Sequence, residues 1–444
     1  MPTTRYDHPS PLDRIQDRRP DLAALAGAVR TGRQPWPELV AAVRRSIDER
    51  DRPLGVFTQV FEPPPGPGDG PLSGLPVAVK DNIDVGGHVT GQGRPLAERR
   101  PATADAEVVR ALGAAGAWLV GKTNLPEFSS SAVTVNATFG AARNPAAPER
   151  TAGGSSGGSA VAVAAGLAVA ALGTDTAGSV LLPAALTGIS GFRPTHGTLS
   201  TGGVARLSPT LDTVGLMTRR ARDLPLVLRV LTGTSAAPPA AGPTADVLRG
   251  LRIGVLRGHF REAGDDVLAV ADAALERLRG AGAAVVDVEL AEAAAAWQHA
   301  RTIYRHEAAA ELARVLDPAR RYAPTVEARR IAPPTDETPA ARDFQRRWRA
   351  VVAAAGVDLL ACPAAPAVAP PLAGLDAATE AALLRFTYPL CLAGVPVCTV
   401  PAGRIDGLPA GLMLAGRHGA DLSLAAIAGR VHDVVAPPDD VEVV

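Results

Sequence analysis

An α/β fold is the architecture that the sequence predicts, and three features of the chain indicate it. Apolar strands alternate with segments of helical periodicity, as in residues 75–121 and 252–290, and such alternation is typical of a sheet covered by helices. The stretch Ala160–Leu172 is apolar on every side and therefore belongs in a core. Apolar residues make up 47% of the 444 residues, which is enough for a large core.

The first half of the chain supplies most of the predicted elements. Two helices are expected before residue 50, the second over Trp36–Arg50, and they read as a surface cap. A Pro- and Gly-rich loop then leads into a strand at Leu75–Val79, and a helix at Ala106–Ala115 precedes a strand at Trp118–Gly121. A Gly/Ser loop is expected to open the Ala-rich helix, and a second Gly-containing turn, at 173–179, to close it.

The second half continues the alternation of strands and helices. A loop is predicted at 238–244, and residues 291–353 read as mostly helical. The remaining predictions are a strand at Arg252–Leu256, a helix at Val267–Gly280, a strand at Ala284–Leu290, and buried strands at Asp358–Ala361, Pro396–Val400 and Gly411–Leu414.

The charge and cysteine content argue against several classes of protein. The 45 basic residues balance the 45 acidic ones, so neither a nucleic-acid-binding surface nor a polybasic membrane patch is expected. No segment reaches the ~20 apolar residues that span a bilayer, and the first residues lack the apolar region of a signal peptide. Cys362, Cys391 and Cys398 are too few for a disulfide scaffold and lack zinc-site spacing. A soluble, cytoplasmic protein without nucleic-acid or membrane partners is therefore expected.

Lysine is rare in this chain, which makes its positions informative. Lys80 and Lys122 are the only lysines, and all other basic residues are arginines. Arginine stays protonated at any accessible pH, whereas a buried lysine can lose its proton and act as a base. Each lysine follows a predicted strand, so both are candidate functional residues; chance survival of a lysine is the alternative.

The Gly/Ser segment at 153–159 has two interpretations. It lacks the patterns of nucleotide-binding loops, and a flexible linker is the simple alternative. The predicted core helix follows it directly, however, and small residues with several hydroxyl groups favour an oxyanion site for acyl chemistry. The sequence Gly178-Ser179 continues as Val-Leu-Leu and lacks the GxSxG pattern of histidine-dependent hydrolases. Lysine is therefore the expected base, and Lys80 is the first candidate.

Four ordered motifs resemble those of the amidase signature family. They are LPVAVKD (75–81), GKTNLPEF (121–128), GGSSGGSA (153–160) and GTDTAGS (173–179). The resemblance continues through SPTLDTVGLMTR (208–219) and LPAGLMLAGRHGAD (408–421), and so covers nearly the whole chain. It implies one large α/β domain with a mixed central β-sheet surrounded by α-helices. Residues 1–60 are then expected to form an N-terminal helical cap, and 61–444 an amidase domain with its signature core at about 75–220.

The resemblance also implies a catalytic triad of the Ser-cisSer-Lys type. Ser179 matches the nucleophile, Ser155 the bridging serine with its cis peptide bond, and Lys80 the base. In this arrangement a neutral Lys80 takes a proton from Ser155, which takes one from Ser179, and Ser179 attacks the amide carbonyl. No metal or organic cofactor is implied.

Other residues receive their expected roles from the same resemblance. The backbone N–H groups of Thr176, Ala177 and Gly178, next to the nucleophile, are expected to form the oxyanion hole. Ser129 and Ser131 are expected to line the substrate pocket, with ordinary loop serines as the alternative. Structural roles are expected for Lys122, Asn124, Arg193 and Asp212.

Two positions depart from the family's usual DTGGSxR pattern. Ala177 stands where glycine is common, as in amidases of the allophanate hydrolase type. Leu181 stands where arginine is common, and that arginine would pair with Asp175. Either another group satisfies Asp175, or the activity of the site is reduced or redirected.

These observations together predict an amidohydrolase. It would cleave a carboxamide or urea-like C–N bond of a small molecule through a Ser179 acyl-enzyme. One alternative is an amide-transferring or amide-forming biosynthetic enzyme with the same acyl-enzyme, although the segment at about 295–350 lacks the glutaminase pattern of tRNA amidotransferases. The other alternative is a non-catalytic scaffold, which only Leu181 favours. A homodimer is expected from symmetry preferences.

Overall fold

An 11-stranded mixed β-sheet forms the centre of the molecule, and helices cover it. The computed structural model describes residues 5–6, 8–234, 248–330 and 338–436. These residues confirm the predicted α/β class; the predicted loop at 238–244 lies outside them. In the described part of the chain, no helix has the length and apolar character needed to cross a membrane.

The strands are numbered in chain order. They are β1 (Phe57–Val60), β2 (Pro76–Lys80), β3 (Trp118–Thr123), β4 (Val135–Asn136), β5 (Gly140–Ala141), β6 (Arg143–Asn144), β7 (Ala147–Thr151), β8 (Ala170–Asp175), β9 (Ser190–Arg193), β10 (Thr213–Thr218), β11 (Arg252–Leu256), β12 (Ala284–Val288), β13 (Leu359–Pro363), β14 (Val397–Ile405) and β15 (Leu408–Ala415). The order in the sheet is β1-β3-β2-β8-β10-β9-β14-β15-β13-β11-β12, while β4-β5 and β6-β7 form two small hairpins.

The helices are numbered in the same way. They are α1 (Pro11–Gln16), α2 (Leu22–Arg30), α3 (Trp36–Leu54), α4 (Glu107–Ala114), α5 (Gly157–Ala164), α6 (Leu181–Thr187), α7 (Leu224–Thr232), α8 (Asp265–Gly280), α9 (Ala293–Val315), α10 (Pro324–Arg330), α11 (Thr338–Ala355), α12 (Ala377–Leu383), α13 (Thr387–Ala393) and α14 (Asp421–Val435). Helix α6 packs on β9, β14 and β15, and both α8 and α14 pack on β14.

Two neighbouring parallel strands carry the motifs that matter most. Strand β2 pairs with β8 in parallel, with Val79 opposite Leu172. Every residue of both strands is buried, which accounts for their continuous apolar sequences. Because parallel strands end at the same edge of a sheet, Lys80 and the residues after Asp175 are brought together there.

The Ala-rich stretch is one place where the sequence prediction was wrong. A single helix was expected through Leu172, but α5 ends at Ala164 and residues 170–175 form β8. Gly166 separates the two elements with a φ of +64°, a conformation that glycine adopts readily. A fully buried strand and a buried helix give the same uninterrupted apolar run, so periodicity could not separate them.

Helix α3 contacts the first part of the sheet through Trp36, whose ring centroid lies 5.4 Å from that of Trp118 in β3. Helix α3 runs from Trp36 to Leu54, longer than predicted, and ends at Gly55 with a φ of +65°. The chain then enters β1, which pairs antiparallel with β3 at the edge of the sheet. The division into a cap at 1–60 and an amidase domain at 61–444 stays a prediction.

Candidate active site

Lys80 lies at the end of β2 and is completely buried. Its Nζ donates hydrogen bonds to Ser155 Oγ at 2.7 Å and to Thr174 Oγ1 at 2.9 Å. Burial lowers the pKa of Lys80 from 10.5 to about 7, against the opposing influence of Asp175 and Asp212. A large fraction of Lys80 is therefore neutral near pH 7, and the neutral amine is the form that can accept a proton.

The Gly/Ser loop places Ser155 beside this lysine. The Gly154–Ser155 peptide bond is cis, as the family resemblance implied, and Ser155 is buried. The next residue, Ser156, donates its backbone N–H to the carbonyl oxygen of Ser179 at 3.1 Å. This bond joins the loop to the segment of the expected nucleophile, at the edge of the sheet where Lys80 and Ser155 are in contact.

Ser179 lies in a turn that the carboxylate of Asp175 organises. Gly178 donates its N–H to Asp175 Oδ1 at 2.9 Å, and Val180 and Leu181 donate theirs to Oδ2 at 2.7 and 3.3 Å. These bonds turn the chain from β8 into α6. Ser179 keeps 8% of its surface exposed, whereas Lys80 has none.

Glycine is required at position 178. Its φ is +113°, and a Cβ there would lie 2.2 Å from Thr387 Oγ1. The same hydroxyl of Thr387 donates a hydrogen bond to the carbonyl oxygen of Ala177. The C-terminal part of the chain therefore holds this turn in place.

The predicted oxyanion donors differ in their availability. The N–H of Gly178 donates to Asp175 Oδ1, so a carboxylate occupies this donor in the structure; its expected place in the oxyanion hole stays a prediction. Within the described residues, the N–H groups of Thr176, Ala177 and Ser179 donate to no protein acceptor. Thr176 and Ala177 thus stay as candidates, together with Ser179 itself.

Arg193 supplies the charge that Leu181 cannot. Arg193, at the end of β9, places its Nη1 2.9 Å from Asp175 Oδ1, and both side chains are fully buried. Nη1 also bonds the carbonyl oxygen of Asp175, and Nη2 donates to Leu211 O at 2.7 Å. Of the two possibilities left open by the sequence, the structure therefore shows the first: another group satisfies Asp175.

Replacing Arg193 by leucine is expected to lower the free energy of unfolding by about 3–5 kcal/mol, because it leaves a buried carboxylate unpaired. Urea denaturation measures the loss. The control is Arg222→Leu, which removes a salt bridge to Asp433 in which Arg222 is 41% exposed; its expected cost is less than about 1 kcal/mol. Equal small losses for the two variants would contradict the structural role given to Arg193.

Lys122 and Asn124 have hydrogen-bonding partners that fix neighbouring segments. Lys122 Nζ lies 3.1 Å from Asp81 Oδ1, with both side chains buried, and donates to Thr90 Oγ1 at 3.1 Å. Asn124 Nδ2 donates to the carbonyl oxygen of Gly55 at 3.0 Å. These contacts support the structural roles expected for both residues.

The two loop serines lie on the same segment but have different neighbours. Asn82 Nδ2 donates to Ser129 Oγ at 3.3 Å, which connects Ser129 to Thr174 and so to Lys80. Ser131 Oγ donates to Glu380 Oε2 at 2.5 Å. Their part in substrate binding stays a prediction.

Four polar residues near the site were missed by the sequence analysis. Thr174 and Asn82 lie inside or next to the motifs, at the carboxyl ends of β8 and β2, and strand register could have indicated them. Thr387 and Glu380 reach the site from α13 and α12, more than two hundred residues away in the chain. No local pattern could have indicated this second pair.

Two cavities are lined by residues of the candidate site or by their neighbours in the chain. The first, of about 260 Å³, is lined in part by Thr174 and Thr176. The second, of about 350 Å³, is lined in part by Leu384 and Tyr388, which flank Thr387. Its other lining residues include Ala132, Tyr304, Glu380 and the arginines Arg301, Arg305 and Arg329.

The comparison with known families agrees with this geometry. Residues 63–424 match the family model described as Amidase. The chain belongs to the amidase signature family. Among curated proteins, this amidase-family chain is 37% identical over 398 residues to a glutamyl-tRNA(Gln) amidotransferase subunit of Roseiflexus castenholzii, an alignment that covers 78% of the chain and 79% of that relative.

Solved structures resemble the amidase-family chain over almost its full length. One, described as an amidase, gives a TM-score of 0.82 at 29% identity and covers 94% of this chain and 100% of that one. A peptide amidase bound to the inhibitor chymostatin gives a TM-score of 0.77 at 28% identity, with coverage of 95% and 99%. The predicted family and fold are therefore confirmed, and the relatives include both amidases and one subunit of an amidotransferase.

Proposed function

We propose that this amidase-family protein cleaves the C–N bond of a carboxamide through an acyl-enzyme on Ser179, as one step of amide transfer. The contact between Lys80 Nζ and Ser155 Oγ, 2.7 Å inside a fully buried site, carries the proposal. A lysine whose pKa is lowered to about 7 can accept a proton from a serine, which an ordinary lysine cannot do at neutral pH.

The proposed reaction has two halves that use the same groups. In the first, Ser179 Oγ attacks the carbonyl carbon while its proton passes to Ser155, whose own proton passes to Lys80. The N–H groups of Thr176, Ala177 and Ser179 stabilise the negative oxygen. The proton then returns to the leaving nitrogen as the C–N bond breaks, which leaves an ester on Ser179. In the second half, a nucleophile gives its proton to the relay and displaces Ser179 Oγ.

The identity of that nucleophile separates hydrolysis from transfer. Water gives the free acid, which was the first expectation from the sequence, and an amine gives a new amide. The relative from Roseiflexus castenholzii belongs to an amidotransferase, and its name supports the transfer alternative better than simple hydrolysis. The peptide amidase supports hydrolysis as the second candidate. Leu181 no longer favours the non-catalytic alternative, because Arg193 pairs with Asp175 where an arginine at position 181 would have done so.

We place the acyl part of the substrate in the second cavity. Two indirect contacts support this. Glu380 lines the cavity and accepts a hydrogen bond from Ser131, and Tyr388, which also lines it, follows Thr387, whose hydroxyl bonds the carbonyl oxygen of Ala177. Because the relative is named as one subunit of its enzyme, an assembly with other chains is the partner arrangement that we favour. A homodimer stays a prediction.

The test measures what happens to the acyl group. The purified protein is incubated with a panel of primary carboxamides, with and without hydroxylamine, and free acid and hydroxamate are both quantified. We expect hydroxamate to form at the expense of the acid, since both come from one acyl-enzyme. Acid alone, unaffected by hydroxylamine, would favour the hydrolase. Absence of both products across the panel would support the scaffold alternative.

A further inference from the structure

The first cavity contains polar atoms that the proposed reaction does not use. Its wall includes Thr174, whose Oγ1 accepts hydrogen bonds from Lys80 Nζ at 2.9 Å and from Asn82 Nδ2 at 3.0 Å. Thr174 therefore lines the cavity and also contacts the candidate base. Thr176, a candidate oxyanion donor, lines it as well.

Two buried oxygens in the wall of this cavity are unpaired. Asn82 Oδ1 and Thr213 Oγ1 have no hydrogen-bond partner among the described residues, although Asn82 is 3% exposed and Thr213 is 2% exposed. Buried polar atoms in native proteins are almost always hydrogen-bonded, because an unpaired one costs free energy. Two such atoms in one cavity indicate a ligand that donates hydrogen bonds.

The charges around the cavity favour a cation. Asp212 lines it and is partly exposed, with a carboxylate that accepts hydrogen bonds from Thr176 Oγ1 at 2.6 Å and from the N–H of Leu207 at 2.8 Å. Glu311 lines the cavity too, whereas the lining residue Arg206 is exposed. The wall of the cavity thus combines unpaired acceptor oxygens with acidic side chains, a set that suits a small donor with positive charge.

We propose that this cavity binds ammonium or a small primary ammonium group, held by Asn82 Oδ1, Thr213 Oγ1 and the carboxylate of Asp212. The inference rests on the proposed function in one respect. The bound nitrogen is either the one that leaves the substrate when the acyl-enzyme forms, or the one that attacks the acyl-enzyme afterwards. For attack, the bound ammonium first gives one proton to neutral Lys80. The free amine then forms the new C–N bond while the bond to Ser179 Oγ breaks, and the second proton of the nitrogen passes through Ser155 to Ser179 Oγ.

The first test locates the ligand without any need for turnover. Crystals are grown with rubidium chloride, because Rb⁺ scatters anomalously and is close to ammonium in size, and with methylammonium chloride in parallel. We expect an anomalous peak within contact distance of Asn82 Oδ1 and Thr213 Oγ1, and density for methylammonium at the same place. Water alone in the cavity under both conditions would overturn the proposal, whatever the activity of Ser179.

The second test connects the cavity to the acyl-enzyme. The ratio of amide to acid formed from p-nitrophenyl acetate is measured at increasing methylamine concentrations. Because both products come from one acyl-enzyme, a change in the reactivity of Ser179 alters both equally and cancels in the ratio. We expect the ratio to saturate in the wild type. Thr213→Val, which removes the hydroxyl, is expected to raise the half-saturating concentration about fivefold, the value of one hydrogen bond. Thr213→Ser, which keeps the hydroxyl, is expected to have the half-saturating concentration of the wild type.

A further variant keeps the test independent of Thr213. Ala205→Leu fills the cavity from another lining residue, and it is expected to abolish the saturation. A ratio that rises linearly in the wild type, or equal values for the valine and serine variants, would contradict the proposal. Failure of the proposed function has a different signature: no acid, no amide and no acyl-enzyme, while the rubidium peak remains.

Discussion

Ser179→Ala is expected to reduce amide turnover by about 10⁴-fold or more, because it removes the only group that forms a covalent bond to the acyl carbon in the proposed reaction. Ser179 lies on the turn after β8, and Asp175, Arg193 and Thr387 hold that turn around it. Removal of the Oγ leaves these contacts intact. The value of kcat/KM should therefore fall, while the urea denaturation midpoint stays close to that of the wild type.

The matched control is Ser159→Ala, a buried serine of the neighbouring Gly/Ser segment at 153–159. Ser159 Oγ donates to Leu172 O at 2.9 Å and lies 2.7 Å from Thr123 Oγ1. Its loss should cost about 1 kcal/mol of stability and little activity. Comparable losses of kcat/KM in the two variants would show that these serines contribute to packing, and would contradict a nucleophilic role for Ser179.

Lys80→Met is expected to lower kcat/KM by about 10²- to 10⁴-fold, the usual contribution of a general base. The wild-type rate should rise with pH through about 7 and then level, because Lys80 works as the neutral amine and burial lowers its pKa to about 7. The variant should lose this rise. Rates measured from pH 5 to 9 test both statements.

Two further variants separate the roles of the two lysines. Lys80→Arg keeps a positive charge that does not titrate in this range, so it should be as inactive as Lys80→Met. Lys122→Met removes the partner of buried Asp81 and should lower stability without moving the pH profile of the folded protein. An active Lys80→Arg enzyme would mean that position 80 supplies charge rather than a base.

The sequence predicted the fold class because its strongest patterns are local. Strands β2 and β3 and helix α4 lie within a few residues of their predicted positions, since each combines a clear apolar pattern with Gly or Pro at its ends. The segment 160–172 was predicted as one helix because complete burial removes the periodicity that distinguishes a helix from a strand. Here tertiary context, with β2 on one side and β10 on the other, decides the structure.

The candidate site was predicted where the family motifs carry it and missed where distant contacts build it. Lys80 and Ser155 lie where the motifs place them, in direct contact. The Arg193 partner of Asp175 and the Thr387 contact to Ala177 come from β9 and α13, and no spacing in the sequence reveals that they meet. The bond from the Gly178 N–H to Asp175 could not be predicted either, because the sequence does not show which way a backbone group points.

Labelling of the purified protein with a fluorophosphonate, followed by mass spectrometry, tests directly whether Ser179 is a nucleophile activated by Lys80. The wild type and Lys80→Met are compared at pH 8, where the relay lysine is mainly neutral. We expect one adduct, on Ser179, in the wild type, and labelling at least about 10²-fold slower without Lys80. An adduct on another serine, or equal labelling of Ser179 in both proteins, would contradict a nucleophile activated through Ser155 and Lys80.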